Sequence, residues 1–359
     1  MAKSQTNKNK KEIKEEGKGK SILLHPIPLY FYALLLIAMS LIWYFANKYN
    51  KTATEYTPQN ITSVNDNSSI IIREKDTGLI KPMLLEESNE EEASLVPIKI
   101  KINEYLEQKK NEGIITTASV YLKKLNSVND LEINPDELYD PASLIKVPMM
   151  MLYLSKEDEN PGLLNKTILY SKPISGIYTA TIKSHSIQLG KSYTIKELLY
   201  YMIVYSDNEA FLLLGKSVNY HDFEKLCTEF YIPIKTDNIK HSDNAQNFVA
   251  DVNSISRFFR VLYNSTYLSK KSSQFALSLL TQSDFKDGIL KGVDPSVRVA
   301  HKFGEREEGG VAQLHEFGIV YIKNNPYLLG VMTKGTNTKQ LAEVIGSISK
   351  ISFEGINNN

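Results

Sequence analysis

The sequence predicts one large domain of α+β or α/β class, built in three layers and preceded by a single membrane-spanning helix. Three observations carry that expectation. Twenty residues near the N-terminus hold no formal charge. From Leu95 onward, helical periodicity and β-branched runs follow one another as helix, strands, helical block, strands, helix. Strands therefore come from both ends of that region, as one shared sheet between helices requires. The 359 residues are 42% hydrophobic and 23% charged, an ordinary globular composition with room for a domain of roughly 250 residues and its appendages. With 42 Lys+Arg against 41 Asp+Glu the net charge is +1, which argues against a nucleic-acid partner held by its phosphates.

Residues 1–26 form a basic tail with Lys3, Lys8, Lys10, Lys11, Lys14, Lys18 and Lys20. The next segment, residues 27–46, reads IPLYFYALLLIAMSLIWYFA. At about 1.5 Å per residue it matches a hydrocarbon core of about 30 Å. Tyr30, Tyr32, Trp43 and Tyr44 stand near its ends, where amphipathic rings favour the interface, and Pro28 is tolerated in a first turn. Only Lys48 and Lys51 follow closely, so the lysine bias places the N-terminus in the cytoplasm and the rest of the chain outside, as a single-pass protein of the cell membrane. No small-residue cleavage pattern follows Ala46, which favours an uncleaved anchor over a signal peptide.

Residues 47–94 read as a polar linker, with runs such as TPQNITSVNDNSS and EESNEEEAS that bury little apolar area. Only Ser69–Ile72 offers a short candidate strand there. Residues 95–359 form the expected domain. Val96, Ile100, Tyr105 and Leu106 lie near helical spacing up to a stop at Gly113, and Ile114–Leu125 begins a hairpin that leads to Tyr139 and Asp140. Helices are expected over Thr194–Val204, Glu209–Val218, Val252–Tyr263 and Ser272–Leu280. Strands follow over Phe317–Ile322 and Tyr327–Met332, then a last helix over Thr338–Ile351. Gly309-Gly310 marks a hairpin turn.

Three short motifs carry chemistry. Ser143-Leu144-Ile145-Lys146 puts a hydroxyl and an amine one turn apart at a helix start. A serine needs a neighbour to take its proton, and a desolvated lysine among cations can do so. Alone, the pair is a weak signal that reads first as an N-cap serine with a surface lysine. Ser206-Asp207-Asn208 stands between two apolar helical runs, where three good caps in a loop would be the plain alternative. His301-Lys302-Phe303-Gly304-Glu305 places a lysine on a strand beside glycine.

In this order the three motifs resemble the S-x-x-K, S-D-N and K-T-G set of the class A beta-lactamases and their penicillin-binding relatives, over about 260 residues from Leu95. The resemblance implies an α+β fold with an antiparallel sheet flanked by helices and a helical subdomain. It implies Ser143 as acylated nucleophile, Lys146 as its proton acceptor, and Ser206 as proton shuttle to the leaving nitrogen. Lys302 would tune that network and attract a substrate carboxylate. Asn208, Gly304 and Glu305 would bind substrate, with the backbone N–H groups of Ser143 and Glu305 as oxyanion hole and Asp207 bracing the turn. Neither cofactor nor metal is implied. The expected partner is a beta-lactam or a peptidoglycan stem peptide.

The chain departs from that pattern twice. Phe303 replaces the hydroxyl residue of the third motif, and residues 237–247 hold no glutamate to activate the deacylating water, leaving Asp237, Asp243 or the more distant Asp251 as carboxylates. Slow deacylation would suit a penicillin-binding protein or DD-peptidase, fast deacylation a beta-lactamase. An esterase and a non-catalytic binding domain of the same fold stand as alternatives. Six scattered histidines show no zinc spacing, His315-Glu316 is expected as a structural pair at a strand edge, and Cys227 as a small core residue.

Overall fold

The computed structural model describes Met39 and residues 61–66, 69–74, 78–80, 82–88, 93–174, 182, 185–230 and 248–357. Two compact units divide the chain, Met1–Pro58 and Gln59–Asn359. The expected membrane span over residues 27–46 lies outside the described residues apart from Met39. Among the described residues no helix is long and apolar enough to cross a membrane.

The expected linker is structured over much of its length. Strands β1 (Ile61–Asp66), β2 (Ser69–Glu74) and β3 (Met83–Ser88) form a three-stranded antiparallel sheet in the order β1-β2-β3. Polar residues between Ile61, Val64 and Ile70-Ile71-Ile72 hid the β-branched positions that favour extended backbone. Between β2 and β3 the chain docks on the large domain. Leu79 and Ile80 are 6% and 2% exposed and join its apolar core. Their backbone N–H groups donate to Gln274 Oε1 at 2.8 and 3.3 Å, and the Tyr321 hydroxyl donates to the Leu79 carbonyl at 2.9 Å.

The central sheet unites both ends of the domain, as expected. It comprises β4 (Ile115–Lys124), β5 (Leu131–Ile133), β8 (Arg298–Glu308), β9 (Val311–Tyr321) and β10 (Tyr327–Gly335), in the order β5-β4-β10-β9-β8 with every pair antiparallel. The β8–β9 hairpin turns on Gly309 and Gly310, whose φ values of +59° and +78° suit a tight turn that matches strand twist. Against one face pack helices α1 (Val96–Asn111) and α8 (Thr338–Asn357), through Ile98, Ile102, Leu341, Ile345 and Ile348. The last helix runs six residues beyond its expected end at Ile351.

Helix α6 (Val252–Asn264) covers the other face, its Phe259 ring stacked on Phe317 at 5.9 Å between centroids. Beyond it lies a helical block of α2 (Lys146–Glu159), α3 (Ile195–Val204), α4 (Asn208–Gly215), α5 (Tyr220–Glu229) and α7 (Lys270–Leu280). Sequence periodicity missed α5, whose Phe223, Leu226 and Cys227 form too narrow an apolar stripe among charged neighbours. A small ribbon of β6 (Thr167–Leu169) and β7 (Ser192–Thr194) leads into α3, which opens on a reciprocal cap between Thr194 and Glu197. The result is three layers, helices on sheet on helices, of α+β class.

The docked segment yields a stability prediction. Ile80→Ala removes a side chain buried against the core, so chemical denaturation of the full chain should lose about 2 kcal/mol or more of unfolding free energy. A loss below about 0.5 kcal/mol, as at an exposed tether position, would contradict the docking.

Candidate active site

The first motif begins with a constrained turn. Asp140 Oδ1 accepts the Ala142 N–H at 2.8 Å, and Ala142 holds a φ of +46°. The chain then winds as a 3₁₀ turn over Ala142–Ile145 before α2 starts at Lys146. Three residues per turn align positions i and i+3, which sets Lys146 Nζ at 2.9 Å from Ser143 Oγ. Lys146 is 1% exposed.

The second motif joins α3 to α4. Ser206 takes a φ of +54°, a conformation that costs a non-glycine residue energy and turns its polar groups back toward Lys146. Lys146 Nζ donates to the Ser206 carbonyl at 2.6 Å, to Ser206 Oγ at 3.2 Å and to Asn208 Oδ1 at 2.7 Å. Asp207 braces the turn, as read from the sequence. Its carboxylate caps α4 through the Glu209 N–H at 3.0 Å, and accepts Ser186 Oγ at 2.7 Å and the Ile187 N–H at 3.0 Å.

The third motif lies on β8, the terminal strand of the sheet. Lys302 Nζ donates to Ser206 Oγ at 2.8 Å and to the Phe303 carbonyl at 2.9 Å. Gly304 is pressed against the first motif: a Cβ there would stand 2.8 Å from the Pro141 carbonyl oxygen and 3.0 Å from the Ser143 nitrogen. Only glycine allows β8 this close, so the Ser143 backbone and the backbone around Gly304 and Glu305 share one small volume.

Burial sets the electrostatics. Desolvation drives the Lys146 ammonium down to about 7, against a smaller upward pull from Asp207 and Glu305. Lys302 is also held well below the usual lysine range, first by burial and then by the charge of Lys146. Burial thus makes a neutral amine next to Ser143 accessible near neutral pH, and the charge of Lys146 when protonated keeps Lys302 from taking a proton beside it. That arrangement can accept a proton from a serine and return it through a second hydroxyl.

Phe303 neither projects outward nor stands open in the cleft. Its ring is 3% exposed, stacks on Phe285 at 4.3 Å, and lies 4.3 Å from the Lys302 ammonium. His315 and Glu316 are both buried rather than at a strand edge, since β9 runs between β10 and β8, and each has its own partners. The Thr333 N–H donates to His315 Nδ1 at 3.2 Å, so Nε2 carries the proton and donates to the Asp140 carbonyl at 3.0 Å. Burial drives the His315 pKa down to about 3, which keeps it a neutral prop behind the turn before Ser143. Glu316 Oε1 meets His301 Nδ1 at 2.6 Å while Oε2 accepts the Ile289 N–H at 2.7 Å. The His301 pairing was not legible in the sequence, because the two residues meet only through the β8–β9 register.

Asp237 and Asp243 lie outside the described residues. Asp251 serves as the N-cap of α6, accepting the Ser254 N–H at 2.6 Å. Cys227 is fully buried, its thiol pushed up to about 12 by burial, as a core cysteine should be.

Comparison with known proteins follows the same lines. The profile of the beta-lactamase enzyme family matches residues 97–356. The extended-spectrum beta-lactamase PER-1 of Pseudomonas aeruginosa is 22% identical over 260 residues, covering 67% of this chain and 83% of its own length. A mutant of PBP-A, solved as an acyl-enzyme complex with penicillin G, superposes with a TM-score of 0.61 at 19% identity, over 76% of this chain and all of its own. A beta-lactamase from Chitinophaga pinensis superposes with a TM-score of 0.63 at 17% identity, over 73% of this chain and all of its own.

The lysine environment predicts a pH profile. The rate of acylation at Ser143 should rise as pH climbs through about 7, because the neutral amine is the competent form. Lys146→Met should slow acylation by about 10² to 10⁴ and flatten that limb in stopped-flow measurements across pH. A limb that stays in place in the variant would remove Lys146 from the titration.

Proposed function

The chain belongs to the beta-lactamase enzyme family and is a serine hydrolase, and from that premise we propose that it acts through an acyl-enzyme on a beta-lactam or a D-alanyl cell-wall peptide, outside a membrane to which residues 27–46 anchor it. The carrying observation is that all three motifs meet in one hydrogen-bonded set, with Lys146 Nζ reaching Ser143, Ser206 and Asn208 within 3.2 Å and Lys302 reaching Ser206 at 2.8 Å.

In this reading neutral Lys146 takes the Ser143 proton as Oγ attacks the carbonyl carbon. The negative oxygen of the tetrahedral intermediate settles between the N–H groups of Ser143 and Glu305, where each donor contributes about 3 to 4 kcal/mol. Ser206 passes its proton to the leaving nitrogen and is replenished from the lysine side, since its Oγ contacts both Lys146 and Lys302. Asn208, whose Oδ1 accepts from Lys146, holds the substrate amide. Water then cleaves the ester and the proton returns to the network.

Deacylation separates the two substrate readings. With no glutamate in residues 237–247, and with Asp251 occupied as a helix cap, a slow second step is favoured, as in a penicillin-binding protein or DD-peptidase. Against a non-catalytic binding role stands the buried lysine pair itself. Holding two desolvated amines around one serine is costly, and a scaffold has no use for it. The anchor rests on the uncharged twenty-residue segment and the lysine excess before it.

Intact-mass spectrometry of the full chain in detergent, after exposure to penicillin G, tests the proposal. A covalent adduct that is lost in Ser143→Ala and persists for many minutes is expected. An adduct that clears with turnover would shift the reading to a beta-lactamase, and the lack of any adduct would contradict beta-lactam acylation.

A further inference from the structure

Ser206 gives its proton to the leaving nitrogen, so the leaving part of a substrate lies against Ser206 and its partner Lys302. The Lys302 ammonium does not open onto that space. It is fully buried, donates to Ser206 Oγ and the Phe303 carbonyl, and is covered by the Phe303 ring at 4.3 Å. The segment that borders the same space brings a negative charge instead. Asp284 donates its backbone N–H to the Val204 carbonyl at 3.1 Å, two residues before Ser206, and the next ring, Phe285, stacks on Phe303 at 4.3 Å. Asp284 is thus held between the second and third motifs. Burial and then the charge of Lys146 keep Lys302 below its usual range, and among the carboxylates that pull it back up Asp284 comes first, ahead of Glu316 and Glu305. Those two are buried and turned elsewhere, Glu316 to His301 and the Ile289 N–H, Glu305 to the Ile182 N–H at 2.8 Å. Asp284 is exposed, so of the three it is the charge that a bound leaving group meets. Lys286, two residues on, turns its ammonium back to the Ser283 carbonyl at 2.5 Å.

We infer that Asp284 is a specificity-determining residue that selects against a carboxylate on the leaving group, so that the preferred acyl donors release a neutral or cationic group. This rests on the acyl-enzyme reading above and narrows its substrate class. Like charges a few ångströms apart repel, and more strongly beside a protein wall than in bulk water. A leaving-group carboxylate beside Asp284 finds neither an open ammonium at Lys302 nor a side-chain hydroxyl at position 303 to offset that repulsion. An internal D-alanyl peptide bond, whose leaving residue is itself amidated, therefore suits the site better than a C-terminal one, and an esterified beta-lactam suits it better than the free acid.

Penicillin G and its methyl ester differ by one negative charge on the leaving side, so the ratio of their second-order acylation rates isolates it. The full chain is assayed by intact mass at neutral pH and low salt, where the carboxylate is ionised and screening is weak. The wild-type protein should be acylated faster by the ester than by the acid. Asp284→Asn should raise the acid to ester ratio about fivefold, and Asp284→Glu should leave it near the wild-type value. General damage to the fold, or a change in the protonation of Lys302, would move both compounds together and leave the ratio in place. A wild-type preference for the acid, or a ratio that moves less than twofold in Asp284→Asn, overturns the inference.

The same ratio is read with the phenylacetyl esters of 4-hydroxybenzoate and 4-hydroxybenzamide, counting only release that Ser143→Ala abolishes. An Asp284-dependent ratio with these esters but no acylation by either penicillin would keep the charge selection and overturn the beta-lactam reading. No Ser143-dependent reaction with any of the four would overturn both.

Discussion

The burial of the Lys146 ammonium is the constraint on which the site depends. A lysine 1% exposed is tolerated only if nearby oxygens receive its donors, and here they come from Ser143, Ser206 and Asn208. Those three residues belong to two chain segments about 60 residues apart, so the amine cannot be satisfied until α2 and the α3–α4 turn have met. Satisfying its hydrogen bonds and lowering its affinity for a proton are thus one event. The fold provides both by closing apolar helices over it.

Around that amine the rest of the architecture supplies distance control. The 3₁₀ turn brings Ser143 into line with Lys146, and the left-handed backbone at Ser206 directs its carbonyl and hydroxyl toward the same nitrogen. Gly304 lets the terminal strand approach the turn that carries Ser143, and it brings Lys302 near enough for the charge of Lys146 to resist protonation of the second amine. Behind the turn, neutral His315 ties Asp140 to Thr333 on β10, so the sheet itself steadies the segment before Ser143.

Much of this was legible in the sequence because the informative residues are local. Ser143 and Lys146 are three apart, Ser206, Asp207 and Asn208 are consecutive, and Gly309-Gly310 marks its hairpin wherever it stands. What was not legible arises from long-range register or from weak patterns. The Glu316 pairing with His301 needs the β8–β9 alignment, and the reach of Glu305 to Ile182 spans |i−j| of 123. Helix α5 hides its stripe among charges, and strands β1 to β3 carry so many polar residues that they read as linker. Phe303 illustrates a further limit. The sequence showed a missing hydroxyl, whereas packing shows that its ring is stacked on Phe285 in the core.

The central claim is that Lys146 is about half neutral at pH 7 and largely a neutral amine at mildly alkaline pH in the resting protein. It is tested most directly by NMR titration of the lysine side-chain resonances in the full chain, with Lys146 assigned through Lys146→Arg. The account predicts a midpoint near 7, set by burial and lowered relative to every surface lysine. A midpoint in the ordinary range of about 10 would contradict it, and would leave Ser143 without the base proposed for it.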